Sequence, residues 1–413
     1  MTSPDPAACS STSAGTTGDG TDHRPHPLLA DIADRLERLD RYGLRRTRRV
    51  VAARQGTHLH VDGRDLLSFC SNDYLGLSGD HRIVEAACRG AREFGVGAGA
   101  SALISGHALA HERFEAELAA FVGAQRAVLF STGYMANLGI VPSLVGSGDA
   151  VFSDRLNHAS IVDAARLSRA EVHVYPHLDM GALAGLLEAC AAPHKLVVSD
   201  AVFSMDGTIA PLADLVALCE AHDAWLLLDD AHGFGVLGPD GRGTPALFSV
   251  NSPNLIHMGT LGKAAGVAGA FAAGHAPVIE WLMQGARTYV FTTAAPPLLS
   301  SALSAALAII GGEDWRRTRL RELSQALRAG LAGTGYRLLA SDTAIQPIVI
   351  GDNQATLTLS AALLDRGIWV PAIRPPTVPE GTARLRVSLS AAHAIQDVQR
   401  LVGALRELDE SRR

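Results

Sequence analysis

At 413 residues, 47% hydrophobic and 19% charged, the chain has enough apolar material for a large core and two or three subdomains. A net charge of −6 gives no reason to expect a nucleic-acid surface, the arginines at 45–49 being a local cluster, and no run of eighteen apolar residues offers a membrane span. The five cysteines (Cys9, Cys70, Cys88, Cys190, Cys219) form no CxxC pair and no metal-ligand spacing, so they read as isolated thiols of a reducing, cytoplasmic compartment with no metal site.

Residues 1–26 are rich in Ser, Thr, Gly, Pro and Asp and lack an apolar signal-peptide region, which predicts a disordered polar tail. A helical pattern starts near Pro27 and runs through Leu28, Leu29, Ile32, Leu36 and Leu39. Thr57–Val61 and Asp65–Phe69, joined at Asp62-Gly63, predict a hairpin, completing an N-terminal segment over 27–80. From 81 to 312 helical stretches alternate with short apolar runs at Ala127–Phe130, Ala150–Phe152, Val172–Tyr175, Leu196–Ser199, Trp225–Leu228 and Leu255–Met258. That alternation predicts a large α/β domain with a mostly parallel sheet. Over 313–413 a helix from Asp314 to Leu331, strands at Gln346–Ile350 and Arg384–Leu389, and a helix near Ala361–Arg366 predict a smaller α+β domain.

The chemistry concentrates at the ends of these predicted strands. Asp229 ends the run Trp225–Leu228, where an acid is costly to bury without a partner and a bound cation would compensate. His232 follows three residues later, and Lys263 lies in the Gly-rich turn Gly259-Thr260-Leu261-Gly262-Lys263. With His158 in Asn157-His158-Ala159-Ser160, these residues suggest a pyridoxal phosphate (PLP) site. Lys263 would hold the aldehyde as a Schiff base, Asp229 would keep the pyridine nitrogen protonated, and His158 would stack on the ring. Ser131–Asn137 opens a helix after a strand, so its N–H groups suit a phosphate, with Gly133 allowing close approach and Tyr134 covering a ring face. Ser204 and His232 would reach the ring oxygen, and Thr260 the phosphate. Gly95-Val96-Gly97-Ala98-Gly99 imitates a dinucleotide loop but follows a helix-like stretch, and is rejected as one.

With these residues in place, the chain resembles the α-oxoamine synthases, PLP enzymes of fold type I, from about 28 to 408. The match rests on Ser71–Leu77, Ser131–Asn137, Asn157–Ser160, Val202–Gly207, Asp229–Gly233 and Gly259–Lys263. The resemblance implies condensation of an amino acid with an acyl thioester and loss of carbon dioxide. The stretches Ala344–Asn353, Ile373–Pro379 and Gly381–His393 imply L-alanine and a pimeloyl thioester, carried by coenzyme A or an acyl carrier protein. It further implies that Lys263 is the proton-transfer base, that Arg386 grips the amino-acid carboxylate, and that Arg45 and Thr377 contact substrate. Arg374 would meet the remote carboxylate of the acyl chain. A homodimer with its site at the interface is implied too, Thr292 and Thr293 reaching the neighbouring subunit's phosphate. The family's Gly-Ser-Gly-Gly-Ser loop is here Gly97-Ala98-Gly99-Ala100-Ser101. A sister synthase using glycine or serine, an aminotransferase on the same fold, and a non-catalytic scaffold are the alternatives; the last expects loss of Lys263 or Asp229, and both are present.

Overall fold

The computed structural model describes residues 26–411, so the expected tail lies, apart from His26, outside the described residues. The chain divides into two compact units, one ending at Thr47 and the other running from Arg48 to Arg413. In the first, the expected helix spans Pro27–Arg41, its N-terminus capped by His26, whose Nδ1 accepts from Leu28 N at 3.2 Å. Its apolar stripe is exposed, Leu29 by 61% and Ile32 by 43%. Arg45 is in this unit and pairs with Asp40 at 2.6 Å.

Among the described residues, the second unit carries all the strands. Three open it: β1 (Val51–Gln55), β2 (His58–Val61) and β3 (Arg64–Ser68). Then come β4 (Arg126–Phe130), β5 (Ala150–Asp154), β6 (Glu171–Tyr175), β7 (Lys195–Asp200), β8 (Ala224–Asp229), β9 (Leu255–Thr260) and β10 (Ala270–Gly274). The last are β11 (Arg337–Leu338), β12 (Ile345–Gly351), β13 (Ile368–Trp369), β14 (Ala372–Ile373) and β15 (Ala383–Ser388). The β2–β3 hairpin turns at Asp62 and Gly63, both with positive φ, as the Asp-Gly pair predicts.

Seven strands form the central sheet in the order β4-β10-β9-β8-β7-β5-β6. Every neighbouring pair from β9 to β6 is parallel; β10 alone is reversed, antiparallel to both β4 and β9. All six strands expected here form. The seventh, β10, is absent from the sequence reading because Ala270-Phe271-Ala272-Ala273-Gly274 has no β-branched residue. Its small side chains suit a strand pressed between neighbours: a Cβ on Gly259 would lie 2.5 Å from the Phe271 ring. Beside this sheet are two smaller ones, β1-β2-β3-β13 and β11-β12-β15-β14. The rejected glycine loop starts at the C-terminal cap of the helix His81–Phe94, with Gly95 at φ +81°. Among the described residues no helix is long and apolar enough to cross a membrane.

Candidate active site

The carboxyl ends of the parallel strands come together at one edge, the place where open α/β sheets present polar groups to ligands. Register pairs Asp200, the last residue of β7, with Asp229, the last of β8. Both are almost completely buried, at 4% exposure. Burial, reinforced by Asp229, drives the Asp200 carboxyl well above its usual range; its Oδ2 accepts from His158 N at 2.7 Å. Burial also raises Asp229, opposed by the Lys263 charge and by its hydrogen bonds. Those bonds come from neutral donors, Asn137 Nδ2 at 2.7 Å and Ala231 N at 3.1 Å.

The sequence pattern around Asn137 gives it no role; the fold does. The helix Gly133–Leu144 follows β4 and is capped by the Thr132 hydroxyl, which accepts from Met135 N. One turn in, Asn137 is fully buried. Its Nδ2 donates both to Asp229 and, at 2.9 Å, to Ser160 Oγ. Ser160 Oγ lies 2.7 Å from His158 Nδ1, which also accepts from Ser160 N at 3.2 Å. With Nδ1 an acceptor, the neutral imidazole carries its hydrogen on Nε2. A single amide thus aims the Asp229 carboxylate and, through Ser160, the exposed His158 ring.

The Gly-rich turn after β9 sets Lys263 opposite. Its Nζ is 2.9 Å from His232 Nε2. Desolvation brings the amine down to about 8, Asp229 and Asp200 opposing and Arg386 assisting. His232, 8% exposed, is held neutral by burial, and its Nδ1 lies 2.7 Å from the Tyr74 hydroxyl. Arg386 comes from the middle of β15. It donates from Nε to Ser204 O at 2.6 Å, from NH1 to Asn72 Oδ1 at 3.2 Å and Ser388 Oγ at 2.8 Å, and from NH2 to Tyr74 Oη at 3.3 Å. An arriving carboxylate would meet the remaining N–H of NH2 or exchange with one of these acceptors.

Other expected residues sit as follows. A Cβ built on Gly133 would stand 3.9 Å from Thr260 Cβ, so the helix N-terminus and the Thr260 side chain are adjacent. The Thr260 hydroxyl is turned to Gly269 O at 3.1 Å and would rotate to meet a phosphate. Ser204 engages Arg386 through its backbone oxygen. Tyr134 is 42% exposed and bonded to Asp163. Arg374 and Thr377 share the turn after β14, Thr377 N donating to Arg374 O at 3.1 Å. Thr292 and Thr293 line a recess with Glu115, Phe130 and Ser131.

The donor set fits PLP. A buried carboxylate fed only by neutral donors suits a pyridinium, and a lysine amine shifted toward neutrality suits an aldehyde. An imidazole face open to solvent suits an aromatic ring, and a helix N-terminus beside a threonine suits a phosphate. The Asn137 Oδ1 is buried without a hydrogen-bond partner, a further polar atom at this site.

Comparison with known proteins agrees. Residues 64–405 match the family model for class I and II aminotransferases. The chain is 58% identical over 388 residues to 8-amino-7-oxononanoate synthase 1 of Polaromonas sp., covering 92% of this chain and 96% of that protein. It is 58% identical over 385 residues to the 8-amino-7-oxononanoate synthase of Aromatoleum aromaticum, covering 93% and 99%. Among solved structures, a serine palmitoyltransferase variant from S. paucimobilis with a bound PLP–myriocin aldimine superposes with a TM-score of 0.88 at 31% identity, covering 94% and 99%. The 8-amino-7-oxononanoate synthase of Francisella tularensis superposes at 0.73 with 30% identity, covering 84% and 98%. The chain belongs to the class I and II aminotransferase family of fold type I and, within it, to the PLP-dependent 8-amino-7-oxononanoate synthases.

Proposed function

We propose that the chain joins L-alanine to a pimeloyl thioester with loss of carbon dioxide, giving 8-amino-7-oxononanoate for biotin biosynthesis. The observation that carries this reading is the Lys263 amine, brought down to about 8 by burial and seated 2.9 Å from His232 Nε2. In the overall reaction the alanine Cα–H bond breaks and Cα bonds to the thioester carbonyl carbon, expelling the thiol. The former alanine carboxylate then leaves as carbon dioxide, and a proton returns to the same carbon. Bound PLP supplies the sink for the electron pair left on Cα. Lys263 takes the Cα proton and later returns one, a task suited to an amine whose pKa lies near the working pH.

Asp229, steadied by Asn137 and Ala231, would hold the pyridine nitrogen of bound PLP in its protonated form. His158 would stack against bound PLP, and its Nε2–H would meet the thioester carbonyl oxygen as charge develops there. Gly133, Tyr134, Ser204, His232 and Thr260 complete the cofactor site, and Arg386 receives the alanine carboxylate as a charge-assisted pair. Arg45 and Thr377 contact substrate, Arg374 taking the remote carboxylate. A cytoplasmic homodimer with the site at its interface, supplied by coenzyme A or an acyl carrier protein, completes the proposal.

The test is stoichiometric. PLP-loaded protein given L-alanine and pimeloyl-CoA should release thiol and carbon dioxide one for one, and Lys263→Ala should lose on the order of 10³-fold in rate. Preference for glycine or serine without turnover of the pimeloyl donor would move the substrate to a sister reaction. Amino transfer to a 2-oxoacid in place of thiol release would overturn the synthase reading.

A further inference from the structure

Strand β15 presents Arg384, Arg386 and Ser388 along one face, since alternate residues of a strand point the same way. Both arginines reach the hairpin that follows β7, in which Val202 bridges Ile209 and Phe203 N donates to Thr208 O at 2.9 Å. The turn of that hairpin is pressed against the start of β12. Gly207, at φ +69°, would bring a Cβ within 2.7 Å of Ile345 O, and its carbonyl accepts from Ser341 Oγ at 3.1 Å. From the β15 side, Arg386 Nε donates to Ser204 O at 2.6 Å and Arg384 NH1 to Met205 O at 3.2 Å.

The two guanidinium groups differ in their counter-charge. Arg384, 4% exposed, forms an ion pair with the Asp206 carboxylate, and its Nε donates to Thr382 O at 3.0 Å. Arg386 is as deeply buried, at 5% exposure. Among the described residues its partners are Ser204 O, Asn72 Oδ1, Ser388 Oγ and Tyr74 Oη, and none is a carboxylate. A buried cation with neutral partners only is costly, which makes it a ready receptor for an anion. The carbonyls of Met205 and Thr382 already fasten Arg384 in place, so what the Asp206 carboxylate adds is charge. Without it, a second bare cation two residues from Arg386 would draw on the same anion. Without Arg384, a bare carboxylate would compete with that anion for Arg386.

We infer that Asp206 and Arg384 form a positioning pair that selects Arg386 as the carboxylate receptor of β15. Asp206 neutralises Arg384 and so leaves one uncompensated guanidinium beside the cofactor site. The pair also fixes the hairpin whose Ser204 carbonyl aims Arg386. The inference rests on the reading of Arg386 as the group that receives the alanine carboxylate, and it names what directs the carboxylate there.

Selection by charge has a signature that simple fastening lacks. A fastening is broken in the same way from either end. Here the two ends act in opposite directions: Asp206→Asn frees a cation and strengthens the hold on a carboxylate, whereas Arg384→Met frees an anion and weakens it.

The experiment titrates PLP-loaded protein with L-alanine and with L-alaninamide, follows the absorbance of the bound cofactor, and compares the two dissociation constants. Alaninamide keeps the amine and the methyl group but has no carboxylate, so general damage to the site weakens both ligands and cancels in their ratio. The preference for alanine over the amide should rise about tenfold in Asp206→Asn and fall about tenfold in Arg384→Met. Arg384→Lys, which keeps the charge, should stay near the wild type. Movement in one direction in both variants, or none in either, would overturn the selection. Where one variant folds poorly, the ratio in the other decides by its sign. Arg386→Met tests the underlying reading separately: an unchanged preference there would remove Arg386 as the receptor. A lost preference there, with Asp206→Asn and Arg384→Met moving together, would sink the selection alone. Thiol release enters none of these titrations, so a failed synthase assay is told apart from either result.

Discussion

Two groups of candidate residues are built in opposite ways. Asp229, Asn137 and His232 at the carboxyl edge of the central sheet are almost fully covered, and each is held by side-chain or backbone hydrogen bonds. Arg374 and Thr377 stand in a turn after β14 where Thr377 is exposed and the backbone makes the bond between them. The difference teaches that the first group is organised before any ligand arrives. Buried polar atoms must be paired on folding or cost about 1–3 kcal/mol each, so packing enforces their geometry. An exposed side chain such as that of Thr377 carries no such burial cost, because water can pair what the fold does not.

The contrast is open to attack, starting with the effect expected to be largest. Burial shifts Lys263 downward, so its neutral, reactive form grows as pH rises toward about 8 and is dominant above it. Uptake of PLP by the apoprotein should therefore quicken by about fifty-fold between pH ~6 and ~8, then level off. A stopped-flow record still rising tenfold per unit above pH ~9 would show an ordinary solvated lysine and dissolve the claim of a preorganised edge. Next in size is Asn137→Ala, which strips a donor from both Asp229 and Ser160. PLP affinity, followed by spectroscopic titration, should weaken about tenfold, the equivalent of one lost hydrogen bond to a buried charge. Unchanged affinity would mean that the carboxylate is steadied by its backbone partner alone. The smallest effect on stability is expected of Thr377→Ala: a melting temperature equal to the wild type, with any loss confined to the KM for substrate. A loss of melting temperature there would place Thr377 with the buried group and erase the comparison.

Much of this was legible in the chain. The Asp-Gly hairpin, six of the seven central strands and the helix opening at Gly133 follow from local rules, because each depends on turn chemistry or on apolar runs that neighbours need not explain. Asp229, His232 and Lys263 stood out as polar residues at the ends of apolar runs or in a glycine-rich turn. What escaped was whatever depends on distant partners. Strand β10 is composed of alanine, phenylalanine and glycine, and only the strands on either side make it a strand. Asn137 looked like any helical polar residue until the sheet brought Asp229 within 2.7 Å, 92 positions along the chain.

By itself the sequence determined the alternation of helices and strands, the turn types, and which residues carry the reactive groups, all of them properties of short stretches. Only the tertiary structure decided which of those groups meet and in what protonation state. The Lys263 amine is brought down to about 8 by its surroundings, and it contacts His232, which contacts Tyr74, whose hydroxyl accepts from Arg386 312 positions further along the chain. The physical reason is that desolvation and hydrogen bonding act over a few ångströms of space, whatever the separation in sequence.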